Sequence, residues 1–261
     1  MDFLKSVFNI VQVYWPSLLL GVRTTIIVAL VGTICGLLLG LIVGGFKAVQ
    51  LDYTAGPVSR ILKKLFDILA NIYITVFRGT PMMVQAAFFY YAFLNVFHWD
   101  KLTAAMVVIS VNTGAYMAEI IRSGIQAVDK GQTEAAHSLG MSNTQTMMMV
   151  VLPQAIRNAF PAIGNELIVN IKDSSVLMII SITELMFQAK SIAGSTFKFT
   201  ETYFLEAVIY LVINMIATCI LNLIEKRLNQ TEYVSIPMSD TDPHSMKYAK
   251  TTTQKGGNSD L

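Results

Sequence analysis

The chain has 261 residues, of which 54% are hydrophobic and only 14% charged, whereas soluble domains carry about 25% charged residues. Water is therefore not its only solvent. A formal net charge of +2 with scattered basic residues argues against the clustered Lys and Arg stripe of a nucleic-acid surface, and the two cysteines, Cys35 and Cys219, lie in apolar runs with no second Cys or His at ligand spacing, so neither a disulfide framework nor a metal site is indicated.

In chain order, the first apolar run extends from Leu18 to Phe46 with one charge, Arg23, and exceeds the ~20 residues that cross a bilayer core. Asp2 and Lys5 upstream do not make the basic start of a cleaved signal, so the segment is expected to stay as a transmembrane helix. Gly32, Gly36, Gly40 and Gly44 recur at every fourth position and predict a smooth face where another backbone packs closely. The second run, Leu65 to Phe97, is interrupted at Arg78-Gly79-Thr80-Pro81, where proline removes a donor and a charge sits among apolar neighbours, which predicts a broken helix. A third run covers Leu102 to Ile121. The fourth starts near Leu152, includes Pro161, meets a polar interruption at Lys172-Asp173-Ser174-Ser175 and continues to Met186, and the last covers Phe204 to Ile224. The fold class expected is an all-α membrane protein with about five transmembrane helices.

Basic residues near the ends of these runs set the expected orientation. Lys47, Arg60, Lys63, Lys64, Arg122, Lys130, Arg157, Lys226 and Arg227 fall on one side, and only Lys5, Lys101, Lys190 and Lys198 on the other, which places the N-terminus outside and the C-terminus in the cytoplasm. From Thr231 onward the chain is rich in Ser, Thr, Asp, Lys and Gly without apolar periodicity, the pattern of a disordered cytoplasmic tail.

Between the third and fourth runs stands Asp129-Lys-Gly-Gln-Thr-Glu-Ala-Ala-His-Ser-Leu-Gly, continuing to Leu152-Pro153. Asp129 with Gln132 predicts a capping box, Ala135 and Ala136 favour helix, and Gly140 predicts a left-handed stop. On the residues alone the favoured reading is an ordinary solvated helix in a long loop, since capping boxes are common. Glu134-Ala135-Ala136, Gly140 and Leu152-Pro153 at these spacings, however, resemble the signature loop of binding-protein-dependent ABC importer permeases. Arg78-Gly79-Thr80-Pro81, Gly114-Ala115-Tyr116 with Glu119 and Arg122, Gly131-Gln132, and Gly164-Asn165-Glu166 through Ser175 are similar to the polar amino acid uptake branch of that family. The resemblance covers roughly residues 13–227 within the usual boundary uncertainty.

The resemblance implies a type I importer permease: an extracytoplasmic segment at 1–12, a permease domain at 13–228 with a coupling helix near 130–141, and the tail at 229–261 outside that core. It implies as partners two cytoplasmic ATP-binding subunits, a second permease subunit, identical or related, and a separate extracytoplasmic substrate-binding protein. Glu134, Ala135, Ala136 and Gly140 become the ATPase-coupling residues. The chain has no G-x-x-x-x-G-K-[ST], G-x-S-x-G or H-E-x-x-H, so it is not expected to be an enzyme or to hold a cofactor, and ATP and Mg are expected on the partner ATPase.

Polar groups inside apolar spans supply the substrate-binding candidates, because such groups are costly unless they face a cavity or a partner. Asn112, Tyr116 and Glu119 stand at i, i+4 and i+7 on the third helix, and Glu166, Asn170 and Asp173 repeat that spacing on the fourth. Each trio falls within about 40° of one helix face, and Asn112 comes out ~15 Å below the outer end of its helix, near the midplane. Carboxylates on these faces suit an amino group, and Arg78 or Lys172 suits a carboxylate. Alternative readings stay open: Glu119 pairing with Arg122, Arg78 pairing with a membrane carboxylate, and Asn112 and Tyr116 as interhelical hydrogen-bond partners. An ion-coupled secondary transporter is the competing function, since broken helices with mid-membrane carboxylates also suit it.

Overall fold

The structure is a computed structural model and describes residues 2–49 and 56–230; the chain divides into two units, 1–225 and 226–261. Of the second unit only the end of the last helix, 226–230, is described, so the expected tail lies outside the described residues. All regular elements among the described residues are helical. They are α1 (Asp2–Ala48), α2 (Pro57–Gly79), α3 (Met82–Phe97), α4 (Lys101–Gln126), α5 (Lys130–Ser138), α6 (Asn143–Thr146), a π turn (Met147–Val151), α7 (Leu152–Asp173), a 3-10 stretch (Ser174–Ile180), α8 (Leu185–Thr196) and α9 (Phe199–Gln230).

The first helix begins sixteen residues ahead of the apolar run that announced it and passes through Pro16 without ending. Among the described residues three helices, α1, α4 and α9, are long and apolar enough to cross a bilayer by themselves. A bent pair, in which 143–180 and Leu185–Thr196 meet at 57°, is apolar enough to count as a fourth if its two pieces form one broken span, so the described residues hold three or four such spans against the five expected. The second expected run is two helices that stop and restart around Thr80, and its α3 half is apolar but short, with Met82–Val96 as its apolar part.

The glycine stripe explains how the core is assembled. α4 lies along α1, and a Cβ placed on Gly36 would stand 2.7 Å from Thr113 Cβ, while one on Gly32 would stand 2.8 Å from Ile109 Cγ2. Gly40 and Gly44 meet Met117 and Ala118 in the same way. Real Cβ atoms do not approach so closely, so each glycine permits backbone contact that any other residue forbids. This contact buries Ile109, Met117, Ala118 and Ile121 of α4 almost completely, and α7 closes the other side through Ala159 and Ile163 against Met117 and Ile121. Gly124 continues the theme, with Ala155 and Ala159 of α7 against it.

Polar ties fix the register of these helices. Thr113 Oγ1 donates to Asn170 Oδ1 (3.0 Å), Asn170 Nδ2 donates to Thr33 Oγ1 (2.8 Å), and Thr33 donates to the Ala29 carbonyl (2.8 Å). One side chain of α7 is thereby bound to both α4 and α1 where no water competes. At the bend before α8, Ser181 adopts a left-handed conformation (φ 61°), and Glu184, fully buried, caps α8. Its carboxylate accepts from Met186 N (2.8 Å), Phe187 N (2.7 Å) and the Tyr210 hydroxyl of α9 (3.1 Å). At the start of α4, Asp100 caps Thr103, and those hydrogen bonds hold its carboxyl below the usual carboxylate range.

Candidate functional site

The break between α2 and α3, the middle of α4 and the second half of α7 surround a cavity of about 490 Å³. Its walls include all six substrate candidates: Arg78, Asn112, Tyr116, Glu166, Asn170 and Asp173. A neighbouring cavity of about 540 Å³ shares Arg78, Tyr116 and Glu166 and continues past Glu119 to Gly124 and Ala127 at the end of α4. The polar faces that sequence spacing placed on two separate helices therefore meet across one space.

Their environments differ, and the difference sorts their roles. Asn170 is 3% exposed and both ends of its amide are engaged by Thr113 and Thr33; it holds helices together beside the cavity. Asn112 is also buried and donates to the Phe77 carbonyl (3.2 Å) and Gln85 Oε1 (2.9 Å). Its amide donors are occupied by the α2–α3 break. Glu119 pairs with Arg122 (2.8 Å) on its own helix and with Lys47 of α1 (3.4 Å), as the structural reading of that residue has it.

Arg78, Tyr116, Glu166 and Asp173 remain for a guest. The Arg78 guanidinium lies 5.2 Å from the centroid of the Tyr116 ring, a cation–π distance that holds the group without neutralising it. Among the described residues neither Arg78, Glu166 nor Asp173 forms an ion pair, although Arg78 and Asp173 are both within electrostatic reach of Glu166. Lys172, the alternative cation, is exposed and is not part of the cavity wall. The arrangement presents one cation and two carboxylates to a space of amino acid size, which is the complement of a carboxylate with one or more ammonium groups.

On the loop between α4 and α7, α5 ends as the glycine predicted. Gly140 has φ +81°, its N–H donates to the His137 carbonyl (2.9 Å), and Met141 N donates to the Ala136 carbonyl (3.1 Å), the paired bonds of a Schellman stop. The expected capping box at the other end does not form. Asp129 accepts from Gly131 N (2.7 Å), too early in the helix for the reciprocal bond, and Gln132 instead accepts from Gln154 Nε2 of α7 (3.4 Å). The capping box belongs to the next helix, where Ser142 and Gln145 exchange bonds. On α5 Ala136 is buried, whereas Glu134 and Ala135 are exposed. Sequence inspection did not single out Gln85, Glu184 or Glu206, all buried. The available signal was an ionisable or amide side chain inside an apolar stretch.

Long apolar helices, a polar cavity at a helix break and an exposed loop helix fit a membrane transport subunit. Residues 53–230 match the family described as binding-protein-dependent transport system inner membrane component, and the chain belongs to that family. It is 36% identical over 220 residues, 82% of this chain and 95% of the relative, to the glutamine transport system permease protein GlnP of Escherichia coli K12. It is 35% identical over 219 residues, 83% of this chain and 94% of the relative, to the arginine transport system permease protein ArtQ of Bacillus subtilis 168. Among solved structures it is similar to an amino acid ABC transporter crystallised with histidines, with a TM-score of 0.72, 36% identity and coverage of 87% of this chain and 99% of that one. The fold also recurs in the MetNI methionine ABC transporter, at TM-score 0.69 and 20% identity, covering 82% of this chain and 97% of that one. The chain is thus the inner-membrane permease component of an ABC importer, not itself an enzyme; its system includes an ATPase and a substrate-binding protein. Family membership decides against the secondary transporter.

Proposed function

We propose that the substrate is a polar amino acid and that it crosses through the cavity at the α2–α3 break. The observation that carries this reading is the convergence of Arg78, Tyr116, Glu166 and Asp173, none of them in an ion pair among the described residues, on one cavity of about 490 Å³. Arg78 takes the substrate carboxylate, and Glu166 with Asp173 takes its ammonium and polar side chain. Relatives whose names specify glutamine and arginine transport support the class. The external binding protein delivers the amino acid. Glu134 and Ala135 on the outward face of α5 meet the ATPase dimer, with ATP and Mg bound on that partner. The permease works as a pair, with a second copy or a related chain, with its N-terminus outside and its C-terminus cytoplasmic.

Glu166→Gln tests the site because it preserves shape and removes charge. Uptake by proteoliposomes, normalised to assembled permease–ATPase complex, is expected to weaken by ~1.5–3 kcal/mol in apparent substrate binding, the range for a lost charged hydrogen bond. Lower yield with an unchanged normalised rate for every amino acid would make Glu166 a structural residue and remove it from the site.

A further inference from the structure

The helix break that carries Arg78 is held by two amides. Pro81 has no N–H, so the Phe77 carbonyl lacks the donor that an unbroken helix would supply four residues on. The Thr80 carbonyl, at the extended C-cap of α2 (φ −123°, ψ 146°), is likewise outside the helical ladder. Gln85, from the first turns of α3 and 5% exposed, aims its amide nitrogen at both: Nε2 stands 3.0 Å from Phe77 O, 3.0 Å from Thr80 O and 2.7 Å from Thr80 Oγ1. Its oxygen accepts from Asn112 Nδ2 of α4 (2.9 Å), which also reaches Phe77 O (3.2 Å). The carbonyls exposed by the break are thereby satisfied inside the protein, as they must be at membrane depth.

The next residue after Phe77 is Arg78. Its guanidinium reaches the ring of Tyr116, one helical turn beyond Asn112 on α4. The turn is thus tied to α4 twice in succession, once through its backbone by the amide pair and once through the arginine side chain. We propose that Gln85, paired with Asn112, is a positioning residue for substrate binding: it fixes the broken turn so that Arg78 presents its guanidinium to the cavity. The assignment rests on the reading of that cavity as the amino acid site. Gln85 itself touches no substrate, since it is absent from the cavity wall. It acts through Arg78.

The test is a double-mutant cycle on the complete permease–ATPase complex in detergent, with tritiated arginine and tritiated glutamine as probes in equilibrium dialysis. Gln85→Met keeps the length of the side chain and removes its amide donors and acceptor; Gln85→Leu, run in parallel, removes them with a branched side chain, so that a folding defect peculiar to one variant does not decide the matter. Either is expected to raise the dissociation constant of the bound probe about tenfold at unchanged complex yield, comparable to misplacing one charged hydrogen bond. Arg78→Gln is expected to do at least as much, and adding Gln85→Met to it to do nothing further, because residues acting in series are not additive. Equal losses that multiply in the double variant overturn the positioning role and leave Gln85 as general scaffold, as does normal binding by the Gln85 variants beside a weakened Arg78→Gln. Normal binding by Arg78→Gln overturns the site reading itself, and the positioning role with it.

Discussion

Glu184 shows most plainly what a single residue does in this fold. A carboxylate removed from water is tolerable when several donors converge on it, and here two backbone N–H groups and the Tyr210 hydroxyl do so. The same bonds begin α8 after the left-handed turn at Ser181 and tie α8 to α9, so one side chain both ends a break and joins two helices. Glu184→Ala is expected to lower stability by ~0.5–2 kcal/mol through loss of the cap alone, with a further loss from the orphaned Tyr210 hydroxyl. Thermal unfolding of the purified complex checks this, and Glu184→Gln, which keeps one acceptor oxygen, should fall between the two. A melting temperature unchanged by the alanine would mean that the cap is dispensable. The contrast with Glu166 is instructive. Both are glutamates within apolar runs, but Glu184 is enclosed by donors while Glu166 has none among the described residues and borders a cavity; a run of letters does not separate these cases, because the donors to Glu184 arrive from residues 2 to 26 positions away.

At the scale of elements, the features legible in advance were those with a local cause. Proline and a charge within an apolar run predicted the α2–α3 break. Glycine at 140 predicted a left-handed stop, and glycines four apart predicted a packing face. What was not legible depended on partners distant in sequence. The capping box was assigned to Asp129 and formed at Ser142, because Gln132 is drawn to Gln154 of α7. The apolar run alone starts α1 at Leu18, whereas residues 2–17 continue the helix because Val7, Val11 and Tyr14 pack against the cluster built by Leu185, Ile192 and Leu205. Two substitutions test the local causes. Gly40→Leu, placed against Met117 and Ala118, is expected to separate α1 from α4 and abolish accumulation of folded protein in the membrane. Gly140→Val forces a β-branched residue into the left-handed region at a penalty of roughly 1–2 kcal/mol. Its expected effect is local: normal insertion, with weakened ATPase co-purification and uptake. If both variants behave like the parent, the close approach and the Schellman stop are not needed for assembly or coupling.

For the whole molecule, the decisive question is which face meets the ATPase, since the proposed coupling through α5 requires that helix to lie in the cytoplasm. Two strongly exposed apolar residues lie in loops between helices: Leu139, 84% exposed just before the glycine stop of α5, and Phe197, 80% exposed between α8 and α9. If basic loops remain on the cytoplasmic side, the first faces the cytoplasm and the second faces outward. Both positions accept cysteine without disturbing a side-chain hydrogen bond, and the native Cys35 and Cys219 can be replaced beforehand because both are free thiols. An impermeant maleimide applied to intact cells or spheroplasts is expected to label Phe197→Cys and spare Leu139→Cys; applied to inverted vesicles, it is expected to do the reverse. Labelling of Leu139→Cys from outside would invert the topology and place Glu134 beyond the reach of a cytoplasmic ATPase. The same pair carries a second readout. With the ATPase bound, Leu139→Cys should lose reactivity in inverted vesicles, because it lies beside the outward face of α5, whereas Phe197→Cys should respond to the loaded binding protein or to nothing; protection of Leu139→Cys only by the ATPase would join the loop helix, its orientation and its coupling role in one measurement.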